Sequence, residues 1–458
     1  MLKKDKLAYM LFFLITLSFI YIASKGAITA QPGDENVYFY MGKMIAEGKV
    51  PYKDFFYAHP PLHIYLIALI YKIFGFNIVA LKLIPLVSAL ISSFFVFKIA
   101  KEKFGNLEAI ISSLLFMFSY SIMFNSVFSL GVMTAAMFMV IGFYFLFNKN
   151  NYYLAGLLFG LAAVTRLLVL IPIFVILSML FLSNRKSFIK LSSAFFIIFL
   201  AVNIPFILLF GNDYINPVYK FHLVKSAGIN QNLNEYLDIA KLNWILFLSA
   251  SAFIFAKSKK PLSMLAIPSL IYLAFLLALK RLFGFYFVVI FPFLAIIGGC
   301  SIASLYKELK INNKLKIGIL IILMLAFLWN LAADISFLQK MGFTGFERGG
   351  DLVDFINSNS NKNTLLFGDA SVAPLLALMT NKKLALDFAD TNDQVFSSGI
   401  IDVNEVLANL KNGEILFVLR DGGLSSLIEV RDFMNQNCEL SSTFYDKSEG
   451  NYLIYKCN

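Results

Sequence analysis

The chain has 458 residues, of which 59% are hydrophobic and only 15% charged. Soluble domains carry roughly 45–50% apolar and about 25% charged residues, so the composition excludes an ordinary water-soluble enzyme and favours a membrane protein. The net charge of +11 does not indicate nucleic-acid binding, because most lysines lie in short clusters between apolar runs. Three cysteines are too few for a disulfide scaffold or a cysteine-rich metal site.

Apolar runs of the kind that span a bilayer recur from the N-terminus to Leu331. We predict eleven spans, and the first is read as a retained helix because no signal-cleavage site follows it. The runs are Leu7–Ala23, Ile78–Phe97, Leu107–Phe124, Val132–Phe147, Leu154–Val164, Leu167–Leu182, Phe188–Phe210, Trp244–Ala256, Leu262–Leu279, Phe285–Leu305 and Ile317–Leu331. Two of these runs, 154–164 and 244–256, are short. The run 154–164 forms a tight hairpin with the run that follows it, so an alternative interpretation is that the two form a re-entrant pair.

Lysine and arginine clusters follow alternate runs, which sets the predicted orientation. The positive-inside rule then places the N-terminus in the cytoplasm, and an odd number of spans places the C-terminal segment outside. The chain is thus predicted to be a multi-pass protein of the cell membrane. The run Leu62–Phe74 is too short to cross about 30 Å of hydrocarbon, so we predict an interfacial helix on the outer face.

The tail from Asp334 changes character and predicts a small extracytoplasmic α/β domain over 334–458, after a membrane domain over 1–333. The predicted strands and helices alternate: Thr364–Phe367, Val372–Met379, Leu384–Phe388, Val403–Leu410, Ile415–Leu419 and Leu427–Met434. A hairpin of Glu439–Tyr445 and Tyr452–Lys456 around the turn 448–451 is predicted to end the chain. Cys438 and Cys457 flank it, either as a disulfide or as two free thiols.

The first outer loop, 25–61, holds the informative residues. It contains Asp34 and Glu35 and an amphipathic stretch at Val37–Glu47, and it leads into the next helix through the sequence Tyr57–Ala58–His59–Pro60–Pro61–Leu62–His63. Adjacent carboxylates at a membrane boundary are costly to desolvate. One interpretation is two solvated acids, with Asp34 capping the following helix. The other is a functional pair, in which one carboxylate takes a proton from an acceptor group.

Histidines and basic residues near the predicted outer face are the remaining candidates. His59, His63 and His222 are all the histidines present. His59 and His63 are too few for a zinc site and no third ligand is evident, and a divalent cation stays open but is not supported by the sequence. Arg166, Lys280 and Arg281 are suited to bind a lipid-linked phosphate, and the alternative explanation is snorkelling side chains that anchor helix ends. The loop Gly211–Lys241 is long enough to cover a site. Tyr57, His63, His222, Lys225 and Tyr286 are candidate substrate contacts.

Together, the Asp34–Glu35 opening and the His59–Pro60–Pro61–Leu62 close of this loop resemble the membrane glycosyltransferases of the C-type fold that use polyprenyl-phosphate sugars. These are enzymes of the protein O-mannosyltransferase and lipid A aminoarabinose transferase type. The resemblance in the general arrangement of spans and loops covers about the first 330 residues, and the specific matching residues lie mostly in 33–62. Gly156–Arg166 is also similar to the family's glycine-rich helix that ends in Lys or Arg.

The resemblance implies a role for each matching residue. Asp34 matches the general base that activates the acceptor, and Glu35 matches its partner acid. His59 stands where the family has Lys, Arg or His near the donor phosphate, and Arg166 with Lys280 and Arg281 would contact that phosphate. The short loop at 125–130 lacks the acid that many relatives carry, which weakens the case for a bound metal. The Trp-Trp-Asp signature of oligosaccharyltransferases is also missing, which disfavours transfer of a whole glycan in one step.

The resulting expectation is an inverting glycosyltransferase, hexosyl or pentosyl, with a polyprenyl or dolichyl phosphate sugar as donor. Its acceptor is a protein, a lipid or a glycan. A transporter or flippase of lipid-linked sugars has the same many-span composition, but such proteins more often show internal repeats, and none is evident here. A non-enzymatic membrane scaffold leaves the acid pair and the His–Pro–Pro sequence unexplained.

Overall fold

The computed structural model describes residues 2–225, 229–255, 259–308, 312–341, 343, 345–410, 414–420, 422–446 and 450–457. Within this part the chain is mainly helical, with one four-stranded sheet near the C-terminus. This confirms the predicted combination of a helical membrane bundle and a small C-terminal α/β region. The chain forms two compact units, and each is composed of three segments.

The first unit consists of Met1–Ala27, Lys82–Ile204 and Ala227–Lys340. Its helices, some of which run on into the second unit, are Leu2–Ala27, Ile78–Lys103, Asn106–Met117, Tyr120–Asn125, Val132–Phe147, Tyr152–Ala163, Leu167–Val169, Leu170–Ser183, Arg185–Phe210, Ile229–Leu242, Trp244–Ser251, Ala252–Phe255, Lys259–Ala278, Gly284–Ile290, Phe291–Glu308 and Asn313–Met341.

Six helices among the described residues are long and apolar enough to cross a membrane, and a bent pair at Gln231–Leu242 and Trp244–Ile254 makes a seventh if counted as one span. The predicted number of eleven is therefore not confirmed. The eleven runs are largely helical, but breaks near Phe118 and Arg166 leave several helices of only 10–17 residues. Apolar composition alone does not show where a helix is interrupted, which explains the difference.

The apolar helices of the first unit differ in how much of their surface is buried within the protein. The apolar window of Gly284–Glu308 is 83% buried, whereas that of Ile321–Lys340 is 11% buried. A helix that is apolar on all sides and also buried belongs to the protein interior, while an exposed apolar helix requires lipid around it. Gly284–Glu308 is thus the core helix of this unit.

The second unit consists of Ile28–Leu81, Pro205–Ser226 and Met341–Asn458. The division joins the first outer loop to the C-terminal tail, so the proposed domain boundary at residue 333 stays a prediction. The two helices of the loop are Glu35–Ala46 and Leu62–Phe74. Both were predicted as helices, the second with the same bounds. Short helices follow at Asn212–Ile215, Asn216–Lys220 and Phe221–Val224.

The two loop helices approach each other closely at Gly42. A Cβ atom added there would lie 2.5 Å from Ile67 Cγ2 and 3.3 Å from the Ala68 nitrogen. We expect Gly42→Ala to destabilise the protein by about 1–3 kcal/mol, since either helix must shift. Gly350→Ala is the matched control, because nothing lies within 4 Å of its added Cβ. The measurement is the thermal unfolding midpoint in detergent, and equal midpoints for the two variants would contradict the prediction.

The sheet has the order β1-β2-β4-β3, with β1 Leu365–Gly368, β2 Ile415–Arg420, β3 Cys438–Asp446 and β4 Gly450–Cys457. β1 and β2 are parallel, and the other two pairs are antiparallel. The surrounding helices are Gly349–Ser358, Ala373–Met379, Asp393–Ser397, Val403–Asn409 and Ile428–Asn437. The small α/β region and the final hairpin are confirmed, although residues 448 and 449 of the predicted turn lie outside the described residues.

The predicted strand Leu384–Phe388 is wrong. Leu384 makes only an isolated bridge with Leu366, and Ala385–Asp387 form one 3-10 turn. Leu386 and Asp387 have φ angles of 58° and 51°, which an extended strand cannot accommodate. The apolar character of this segment reflects burial of Leu384 and Ala385, not membership of the sheet.

Cys438 and Cys457 form a disulfide that closes the hairpin and joins residues 19 apart in sequence. This settles the alternative of two free thiols. We expect the double variant Cys438→Ser/Cys457→Ser to lose about 3 kcal/mol of stability, since a cross-link restricts the unfolded chain. The check is the thermal midpoint with and without reductant. Reductant should lower the wild-type midpoint and leave that of the variant unchanged; a wild-type protein insensitive to reductant would contradict it.

Candidate functional site

The acid pair lies where the first loop helix begins. Asp34 occupies the N-cap position of Glu35–Ala46 and is exposed, but its side chain makes no capping hydrogen bond. Glu35 is fully buried. The side-chain amide of Asn36 instead donates to the carbonyl oxygens of Gln31 (2.8 Å) and Gly33 (3.0 Å). The structure therefore gives no support to the capping interpretation, and one acid faces outward while its neighbour is buried.

Segments of the C-terminal region hold this helix in place within the second unit. The Gly33 amide donates to the Ser371 carbonyl oxygen at 2.9 Å. The Tyr40 hydroxyl accepts from the Leu384 amide at 2.7 Å, and burial raises the pKa of Tyr40 above its usual value. The turn before the loop helix and the middle of the helix are thus connected to the part of the chain that follows the membrane bundle.

His59 and His222 form a ring cluster with Tyr38. The two imidazoles are stacked, with centroids 5.1 Å apart and planes 24° from parallel. The Tyr38 hydroxyl lies 3.1 Å from His59 Nε2. His222 Nε2 donates to the Ala58 carbonyl oxygen at 2.6 Å, so this nitrogen carries the proton. The Tyr52 hydroxyl donates to the His59 carbonyl oxygen at 2.7 Å, which fixes the backbone before the two prolines.

The acid pair and the ring cluster are connected through one helical turn. Asp34 and Tyr38 are four residues apart at the start of the same helix, so they lie on one face about one turn from each other. Tyr38 in turn contacts His59. The structure therefore brings the exposed carboxylate and the histidines to one region of the second unit. Tyr38 was missed in the sequence, where it looked like one more aromatic residue of an amphipathic helix.

Tyr57 and His63 are fully buried beside this cluster. Their rings meet that of Tyr38 edge to face, at centroid distances of 6.1 Å and 5.7 Å. In the structure both residues support the position of Tyr38, and their contact with substrate stays a prediction.

Lys225 lies near Phe221 and Asp390 in the second unit. Its ammonium lies 4.3 Å from the centre of the Phe221 ring. Burial raises the pKa of the Asp390 carboxyl, and this effect is opposed by hydrogen bonds from Asn392 and by the Lys225 charge. Asp390 is a polar residue near the predicted site that the sequence did not single out. The lid role of 211–241 stays a prediction, and 226–228 lie outside the described residues.

The basic candidates belong to the first unit. Arg166 is 4% exposed and occupies the extended turn between Tyr152–Ala163 and Leu167–Val169. Lys280 is exposed, and the Arg281 guanidinium lies 5.1 Å from the Phe283 ring centre. A buried arginine between apolar helices is costly to desolvate, and the phosphate contacts of Arg166, Lys280 and Arg281 stay predictions.

The turn 279–284 is held by a neighbouring helix of the same unit. The Asn232 side chain accepts from the Leu282 amide at 2.8 Å and donates to the Leu279 and Lys280 carbonyl oxygens at 2.8 Å and 3.1 Å. Glu235 accepts from the Gly284 amide at 2.8 Å. Tyr286 is buried, and its carbonyl oxygen accepts from the Tyr272 hydroxyl. Asn232 and Glu235 lie in no sequence motif that would have predicted their hydrogen bonds to this turn.

Among the described residues there is no group of three or more His, Cys, Asp or Glu side chains able to hold a metal ion. The chemistry available is that of carboxylates, imidazoles, tyrosine hydroxyls and cationic side chains. This set suits proton transfer at Asp34 and binding of an anion by the basic residues.

Comparison with known proteins identifies the fold. Residues 58–208 match the family model described as dolichyl-phosphate-mannose-protein mannosyltransferase, which is less than half of the chain. ArnT from Cupriavidus metallidurans is similar over 98% of this chain and 97% of its own, with 14% identity and a TM-score of 0.68 in the apo state. Bound to undecaprenyl phosphate, it gives 15% identity and a TM-score of 0.67, with the same coverage of 98% and 97%.

A second similar structure is the oligosaccharyltransferase AglB from Archaeoglobus fulgidus, in complex with an inhibitory peptide and a dolichol-phosphate. The likeness covers 96% of this chain and 74% of AglB, with 10% identity and a TM-score of 0.57. No curated protein matches the sequence significantly. At these identities the likeness establishes the fold alone: the chain is an integral membrane protein with the C-type glycosyltransferase fold, as the sequence resemblance implied.

Proposed function

We propose that this chain is an inverting glycosyltransferase that moves a single sugar from a polyprenyl-phosphate carrier to a protein, lipid or glycan acceptor. The observation that carries the proposal is the exposed Asp34 carboxylate, one helical turn from the Tyr38–His59–His222 cluster. The family match and the shared fold with ArnT support the donor class.

In the proposed reaction, Asp34 takes the proton of an acceptor hydroxyl or amine. The acceptor atom bonds to the anomeric carbon of the sugar while the bond from that carbon to the carrier's phosphate oxygen breaks. The electron pair of the broken bond stays on the phosphate, which leaves as the polyprenyl monophosphate. Because attack comes from the face opposite the leaving group, the configuration at the anomeric carbon inverts.

The leaving phosphate gains negative charge as the bond breaks. His59, Arg166, Lys280 and Arg281 would stabilise that charge, with arginine suited to bind two phosphate oxygens at once. The different surroundings of the two acids support different roles. Asp34 is exposed and accessible to an acceptor, whereas the buried Glu35 acts as its partner acid.

The proposed site faces the outside of the cell membrane, with the N-terminus in the cytoplasm. The disulfide between Cys438 and Cys457 supports an extracytoplasmic C-terminal domain, because such bonds persist in oxidising compartments. The donor lipid would then lie in the outer leaflet.

The test uses the purified full-length protein in detergent with radiolabelled undecaprenyl-phosphate and dolichyl-phosphate hexoses, and a membrane extract as the source of acceptors. Loss of label from the carrier is followed by thin-layer chromatography. We expect sugar transfer from at least one of the two carriers. We also expect undecaprenyl phosphate, added without sugar or acceptor, to raise the thermal unfolding midpoint in a saturable way. Movement of a labelled carrier across proteoliposomes without any loss of sugar would overturn the proposal in favour of a flippase.

A further inference from the structure

Asp369 follows directly after β1, at the carboxyl end of the strand, and is 7% exposed. Its Oδ1 accepts from the Ser371 amide at 3.0 Å and from the Ser371 hydroxyl at 2.6 Å. Its backbone amide donates to the Val418 carbonyl oxygen of β2 at 2.9 Å. The carboxylate thus fixes the orientation of residue 371 relative to the rigid parallel pair of strands.

The carbonyl oxygen of Ser371 contacts the turn that carries the acid pair of the first outer loop. Its oxygen accepts from the Gly33 amide at 2.9 Å and, over a longer distance of 3.4 Å, from the Asn36 side chain. Gly33 and Asn36 directly flank Asp34 and Glu35 in sequence. Since Asn36 also donates to the Gly33 carbonyl oxygen, these hydrogen bonds connect the turn that carries the acids to Ser371.

We propose that Asp369 is a positioning residue of the transferase: through Ser371 it holds the turn that carries Asp34 in the geometry needed for proton transfer. The inference rests on the proposed function and extends it to the C-terminal domain, which takes part in catalysis by orienting the base. All the contacts lie within the second unit. A displacement of a catalytic group by about 1 Å can reduce a rate on the order of 100-fold, so such a contact affects turnover strongly.

Gly423 provides a way to disturb Asp369 without removing a polar group. A Cβ atom at Gly423 would lie 2.4 Å from Asp369 Oδ2, and this glycine has a φ angle of +54°. Gly399 has a comparable φ of +68° but nothing within 4 Å of an added Cβ. Gly423→Ala therefore combines backbone strain with a push on Asp369, while Gly399→Ala has the strain alone.

The experiment measures kcat and the donor KM of the full-length protein in detergent for Asp369→Ala, Asp369→Asn, Gly423→Ala and Gly399→Ala. Asp369→Ala should lower kcat by about 10- to 100-fold with the donor KM within about twofold of wild type. Asp369→Asn should restore most of the rate, because an amide oxygen accepts the same two hydrogen bonds. Gly423→Ala should lower kcat more than Gly399→Ala at comparable thermal midpoints.

A kcat of Asp369→Ala within about twofold of wild type overturns the inference, and so does a loss that Asp369→Asn does not restore. If Asp369→Ala does not fold, the comparison of Gly423→Ala with Gly399→Ala decides, and equal kcat values reject the positioning role. The proposed function fails separately, when the wild-type protein itself transfers no sugar or when Asp34→Asn is fully active.

Discussion

Asp34→Asn is expected to reduce sugar transfer at least about 100-fold, because a positioned general base contributes roughly 10²- to 10⁴-fold to a rate and an amide cannot accept the proton. The change should leave the fold intact. Asp34 is exposed and its side chain makes no capping hydrogen bond to the helix that it precedes, so the substitution does not remove a helix cap. The donor KM should change little, since the carboxylate acts on the acceptor.

The matched control is Glu47→Gln, which neutralises an exposed acid at the other end of the same helix. Glu47 is exposed and lies 3.8 Å from the ammonium of the buried Lys43, so the ion pair is a long one and its loss should cost little stability. We expect transfer rates for this variant within about twofold of wild type. The measurements are initial rates of label loss and thermal midpoints for both proteins. Comparable activity of the two variants would show that Asp34 is not the base.

Arg166→Ala is expected to weaken binding of the donor by about 10- to 100-fold, since a hydrogen bond to a charged group contributes roughly 1.5–3 kcal/mol. The reason is the position of this arginine, which is almost fully buried in a turn between two apolar helices. Arg166→Lys should recover only part of the affinity, because an ammonium group cannot bind two phosphate oxygens in the planar arrangement of a guanidinium.

Arg185→Ala is the control for the loss of one positive charge. Arg185 is exposed at the start of Arg185–Phe210, where its guanidinium lies over the Phe181 ring. Binding of undecaprenyl phosphate is measured by thermal shift for wild type and the three variants, together with the donor KM. An unchanged affinity in Arg166→Ala, or an equal loss in Arg185→Ala, would reject a specific phosphate contact at Arg166.

Several candidate site residues could be found from the sequence, because charged and polar side chains are unusual next to a membrane span. Two adjacent acids beside a membrane span are rare, and Asp34 and Glu35 stood out for that reason. His59 stood out because two prolines follow it. The helix at 62–74 was predicted with its correct bounds, since Pro60 and Pro61 precede it and Gly75 ends it.

The supporting residues could not be found in this way. Asn36, Tyr38 and Asp369 are ordinary residues for a helix start, a helix face and a loop. Their importance comes from contacts such as that of Gly33 with Ser371, which joins positions 338 residues apart (371 minus 33). Local sequence contains no signal for a hydrogen bond between such distant segments.

What the sequence by itself determined is the class of protein, the α/β character of the tail and the acid pair. These depend on composition, on the period of apolar residues and on short motifs, all of which are local. The tertiary structure alone decided where helices break at Phe118 and Asn243, that Leu384–Phe388 is not a strand, and that the tail holds the acid turn through Ser371. The physical reason is that each of these depends on which buried polar groups find partners, and those partners are distant along the chain.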